Sequence, residues 1–70
     1  MNYIIIEMQT NAQGQTAIVT PLTYDDAINA EAVFLEKCAY ARRSGLPCHS
    51  VALLDQTGKQ IARKAYVTAE

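Results

Sequence analysis

Tyr3-Ile4-Ile5-Ile6-Glu7-Met8-Gln9 is the stretch on which the fold turns. Three consecutive β-branched residues are stiff at χ1 and favour a pleated backbone, so Tyr3 to Gln9 reads as a strand. Alternation places Ile4, Ile6 and Met8 on one face and Tyr3, Ile5, Glu7 and Gln9 on the other. It is the most apolar strand of the chain and is expected at the centre of a sheet, with Ile4, Ile6 and Met8 against the covering layer. Downstream, Thr10-Asn11-Ala12-Gln13-Gly14-Gln15 is polar and holds a glycine, which predicts a hairpin loop. Thr16 to Thr20 is the second strand, which Pro21 ends or confines to a sheet edge.

Thr23-Tyr24-Asp25-Asp26 reads as a helix start, with Thr23 and Asp26 as an Asp variant of the capping box. Ala27 to Arg43 contains neither Gly nor Pro and is rich in helix formers. A helical wheel predicts a buried stripe of Ile28, Ala32, Leu35 and Ala39, with Phe34 and Cys38 at its margin. Lys37, Arg42 and Arg43 suit the negative end of the helix dipole, and Ser44-Gly45 is a stop signal. Cys48 to Asp55 is apolar on both faces, Val51 with Leu53 and Ala52 with Leu54. Asp55-Gln56-Thr57-Gly58 predicts a turn, and Lys59 to Thr68 a last strand. There Ile61, Ala65 and Val67 share a side with Arg63, opposite Ala62 and Tyr66. A long cation among apolar neighbours suits an edge strand, where it can reach water.

These elements predict an α+β domain over residues 1–70. It is a four-stranded antiparallel sheet, order β-β-α-β-β, with one helix packed on one face. Placing the first strand beside the third gives the spatial order 2-1-3-4. Seventy residues allow a single domain. A 50% hydrophobic content excludes a disordered chain, and a net charge of −1 argues against a strongly basic nucleic-acid binder. No apolar run approaches the roughly 18–20 residues of a membrane helix. The start of the chain lacks a basic segment and a long apolar run, so no secretory signal is read and a cytoplasmic location is expected. Two cysteines, Cys38 and Cys48, are too few for a disulfide scaffold and read as reduced thiols.

Little in the sequence points to chemistry. His49 is the only histidine, and it follows Cys48 directly on a strand, so the two point to opposite faces. No Cys-x-x-Cys or paired-histidine spacing exists, and neither a metal site nor a cofactor is expected. Cys38 with His49 is a nucleophile pair on paper, but the C-terminal half of a helix disfavours a thiolate, so an inert packed thiol is expected. His49 reads as a hydrogen-bonded strand histidine. Asp25 and Asp26 suit capping better than acid–base work, and no enzyme activity is expected.

One helix covers one face of a sheet whose first and third strands are apolar on both. The uncovered face is expected to pair with a second copy or another protein through Tyr3, Ile5, Ala52, Leu54 and Tyr66. The alternative is a weak nucleic-acid-binding accessory protein, using Arg42, Arg43, Arg63 and Lys64.

A family resemblance points the same way. Tyr3 to Gln9, Phe34 with Cys38-Ala39-Tyr40-Ala41, Ser44-Gly45-Leu46-Pro47-Cys48-His49-Ser50, the Asp55–Gly58 turn and Tyr66 carry it. Together they resemble a small uncharacterised family encoded in phages and prophages of intestinal Gram-positive bacteria, often among late structural genes. The chain departs from that pattern where Tyr40, Arg42 and Arg43 interrupt an alanine-rich helix end, and where Cys48 replaces an aliphatic residue. The resemblance implies a phage-related accessory or structural role, in the host cytoplasm or associated with the phage, and no catalytic residues.

Overall fold

The computed structural model describes residues 1–68. Its elements run β1 (Tyr3–Thr10), β2 (Thr16–Tyr24), α1 (Ala27–Arg43), β3 (Cys48–Asp55) and β4 (Gln60–Val67). The strands form one antiparallel sheet of order β2-β1-β3-β4, with α1 on one face, as the pattern predicts. Turn chemistry holds the strand ends. Asn11 Oδ1 accepts bonds from the amides of Gln13 and Gln15 across the first hairpin. Asp55 Oδ1 does the same for Thr57 and Lys59 across the second. Gly45, just past the helix, has φ 73°, the left-handed value that stops a helix and that side chains rarely adopt.

Two local expectations are corrected. Pro21 does not end β2, which continues to Tyr24; of the two outcomes expected, confinement to a sheet edge is the one found. Proline lacks an N–H, but β2 is an edge strand, and the register shifts at that point: Ile5 pairs with Leu22 and Glu7 with Val19. The helix cap is therefore Asp26 rather than Thr23, and Asp26 accepts from the Ile28 amide at 3.1 Å. Asp26→Ala is expected to cost about 1 kcal/mol in a urea melt. A cost of the same size from Thr23→Ala would put the cap back at Thr23.

The larger correction concerns faces. The side of β1 beneath the helix carries Ile5 and Glu7, 1% and 4% exposed. Ile4, Ile6 and Met8 lie on the open side, opposite to expectation. A one-residue change of register exchanges the faces of a strand, and β1 is apolar on both. The choice falls to Glu7, whose partners lie under the helix. From β3, His49, Val51 and Leu53 join Ile5.

The helix is likewise turned to nearly its opposite side, since a two-residue offset passes half a turn. Ala30, Phe34, Cys38 and Ala41 are buried, whereas Ile28 and Leu35 are 78% and 58% exposed and Ala32 and Ala39 face water. Phe34 fills the space over Ile5, Val51 and Leu53, and Lys37 beside it reaches Glu7.

Candidate functional site

Two features stand out from this small fold: a buried polar cluster under the helix and an uncovered sheet face. In the cluster, Glu7 sits on the central strand and accepts three side-chain bonds. His49 Nε2 lies 2.5 Å from Glu7 Oε2, Lys37 Nζ donates to Oε1 at 3.0 Å, and Gln9 Nε2 donates to Oε2 at 3.1 Å. On the far side of the ring, His49 Nδ1 is 2.9 Å from Ser44 Oγ, and Ser44 Oγ donates to the Ala41 carbonyl at 3.0 Å. Tyr40 closes the ring edge-on, with centroids 6.1 Å apart. The cluster thus joins β1, β3, the middle of α1 and its cap.

His49 Nε2 donates to the Glu7 carboxylate, and the Ser44 hydroxyl lies within hydrogen-bond reach of both Nδ1 and the Ala41 carbonyl. Burial alone raises the Glu7 carboxyl, but the bonds from His49, Lys37 and Gln9 outweigh it and hold the group below its ordinary 4.5. Burial pushes the Cys38 thiol up, with Lys64 opposing in part, so Cys38 has the character of a packed thiol rather than a nucleophile.

Serine, histidine and glutamate in a chain also describe a hydrolase triad. Here Ser44 sits at a helix C-terminus, whose dipole opposes a developing oxyanion, and the His49 ring is 1% exposed. Grooves of about 300 and 480 Å³ flank the helix, and neither is lined by Ser44 or His49. The cluster fastens the helix end to the sheet. Among the described residues, no three His, Cys, Asp or Glu side chains gather for a metal ion. Both cysteines are free.

The open face is built by the alternate residues of all four strands. Ile4, Ile6 and Met8 pair across β3 with Leu54, Ala52 and Ser50; Ile18 flanks Met8 from β2, and Ala65 flanks Ser50 from β4. Met8, Ile18 and Val67 are 40%, 63% and 61% exposed. Arg63, level with Ala52, is the one charged side chain on the face among the described residues.

The expected contact set divides between the two faces. Ala52 and Leu54 lie on the open side. Ile5 is in the core, and Tyr3 and Tyr66 pack against it beneath the helix. The cause is the exchanged face of β1. A bulge at Ile61 has a similar effect: Leu53 pairs with Ala62 and Leu54 with Gln60, and Ile61 lines the groove beside Ile28.

The four cations of the nucleic-acid reading are not gathered either. The Arg42 guanidinium stacks 5.7 Å over the Tyr66 ring, and Lys64 shares the helix side with Val51, but Arg63 lies on the opposite face. Glu7 escaped sequence reasoning as a site residue. Its signal was present: one carboxylate inside an isoleucine-rich central strand, with a single histidine elsewhere to meet it. No family model, curated protein or solved structure matches the chain.

Proposed function

We propose that the chain is a small non-enzymatic protein-interaction or structural accessory module that dimerises through the open face of its sheet. The observation that carries this reading is the face itself: Ile4, Ile6, Met8, Ile18, Ala52, Leu54 and Val67 with Arg63 as the only charge among the described residues. A contiguous apolar surface of this kind is uncommon on monomers and marks an interface. Four strands of eight or nine residues span about 27 Å by about 19 Å, roughly 500 Å² before side-chain relief. Two copies meeting over it bury roughly 1,000 Å² in total, the lower bound for a specific interface.

Arg63 lies on the edge strand β4, where its stem can cover apolar surface while its head reaches the rim. The phage-related setting rests on the sequence resemblance alone. Nucleic-acid binding through Arg42, Arg43, Arg63 and Lys64 is the weaker reading, because those cations divide between two faces. Among the described residues no helix is long and apolar enough to cross a membrane.

Ile6→Asp, at the centre of the face, tests the proposal. The variant is expected to keep its circular dichroism and to shift from twice 7.7 kDa to 7.7 kDa by light scattering. Burying an unpaired carboxylate costs enough to weaken association by at least about a hundredfold. A folded Ile6→Asp chain that stays dimeric would place the interface elsewhere.

A further inference from the structure

The register of the sheet goes further than an apolar face, because its two central strands carry side chains of different size there. β1 carries Ile4, Ile6 and Met8, a ridge, with Ile18 of β2 beside Met8. The neighbouring β3 carries Ala52 and Ser50, a trough closed by Leu54 at one end and Cys48 at the other, and on the edge strand β4 Ala65 continues it between Arg63 and Val67. Pairing is level across the boundary: Ile6 stands beside Ala52, Met8 beside Ser50, and Ile18, on the far side of Met8, lies level with Ala65 beyond Ser50.

Two apposed sheets of identical chains can be related by a two-fold axis in the interface plane, along the strands or across them. An axis across the strands stacks β1 on β1 and β3 on β3. The two β1 ridges then collide while the two β3 troughs leave a void, and close-packed interfaces tolerate neither. An axis along the strands, between β1 and β3, sets the β1 of each copy over the β3 of the other.

We infer that the dimer is formed about this second axis, with Ile6, Met8 and Ile18 of each copy seated over Ala52, Ser50 and Ala65 of its partner. This rests on the open face being the interface and adds which residues meet across it. It also places Arg63 over the partner's edge strand β2, at the rim rather than in the centre, so neither copy buries an unpaired cation.

The arrangement is tested by exchanging bump and hole in the full chain, with dissociation constants read by sedimentation equilibrium. Ala52→Leu fills the trough beneath the partner's Ile6, and association is expected to weaken by at least about tenfold. Adding Ile6→Ala to Ala52→Leu reverses the sizes at both symmetric contacts and is expected to restore wild-type affinity within a few-fold. Ala65→Leu, on an edge strand where added volume burdens the monomer less, is expected to weaken association as Ala52→Leu does. It serves if Ala52→Leu fails to fold.

A dimer broken by Ile6→Asp but indifferent to Ala52→Leu and Ala65→Leu overturns the ridge-over-trough arrangement and leaves the open-face module standing. So does a double variant no better than Ala52→Leu alone. A wild-type chain that stays monomeric at millimolar concentration overturns the arrangement and the dimer together.

Discussion

Glu7→Ala is expected to remove a large part of the protein's folding stability at neutral pH and room temperature. The substitution strands two groups at once. His49, 1% exposed, loses the acceptor of its Nε2–H, and Lys37 loses its ion pair. Removing one member of a buried charged set costs about 3–5 kcal/mol, because the remaining members stay desolvated without a partner. A domain of this length has roughly 4–10 kcal/mol in total. A urea melt of Glu7→Ala should therefore show a much lowered midpoint, and a loss below about 1 kcal/mol would mean that the cluster does not hold the helix down. Replacing both buried members with leucines, Glu7→Leu with His49→Leu, is expected to recover much of the loss, since Lys37, 28% exposed, can turn to water and Ser44 keeps the Ala41 carbonyl, so no buried charge is left unpaired.

The same cluster sets an acid limit. The Glu7 carboxyl is held below 4.5 in the folded chain, so the folded state binds its proton less readily than the unfolded state does. Its contribution is fully present above the unfolded value and is lost as pH falls through the lower, folded one. Wild-type stability should therefore decline below about pH 4.5, and Glu7→Gln should remove part of that slope. Asp55, lowered chiefly by the Thr57 hydroxyl and then by the Thr57 and Lys59 amides, accounts for a further part that Glu7→Gln leaves intact.

Phe34→Ala is expected to be of comparable severity for a different reason. Phe34 is 4% exposed and is the largest side chain the helix contributes to the core, beside Ile5, Val51 and Leu53. Truncation removes its transfer energy and leaves a cavity that a single helix cannot collapse to fill, for about 3–5 kcal/mol. Its neighbour Leu35 is 58% exposed, and Leu35→Ala should change stability by no more than about 0.5 kcal/mol. Thermal melts of the two variants decide which face of the helix is inward, and equal losses would contradict the packing described here.

That pair also shows where sequence patterning reached and where it stopped. The order of elements along the chain, the bounds of the helix and of β3, and the turns at Gly45 and Gly58 follow from local chemistry: helix formers without a break, glycine at left-handed positions, β-branched runs between polar turns. Which face of each element turns inward does not follow from hydrophobic alternation when both faces are apolar. β1 offers Ile4 and Ile6 against Tyr3 and Ile5, and the helix offers Ile28 and Leu35 against Val33 and Phe34. The decision is made by one polar set whose members come from residues 7, 37, 44 and 49. Contacts so distant along the chain leave no period in the sequence. Of the five contact residues drawn from faces, Ala52 and Leu54 accordingly lie on the open side and Tyr3, Ile5 and Tyr66 beneath the helix.

The order β2-β1-β3-β4 has a mechanical consequence. β1 and β4 both run antiparallel to β3, which lies between them, and Tyr3 and Val67 meet β3 at its opposite ends, beside Asp55 and Cys48. Tension applied through residues preceding β1 and following β4 is therefore directed along the strands. The β1–β3 and β3–β4 ladders are loaded in shear, many hydrogen bonds sharing the force, instead of being peeled apart one pair at a time. Beyond β4, Thr68 adds a clamp, its amide and hydroxyl donating to the carbonyls of Pro47 and Leu46 at 3.0 and 2.7 Å. Forced unfolding is governed by the unfolding rate rather than by equilibrium stability. A chain of modest thermodynamic stability can thus be a stiff link when it is held at both ends.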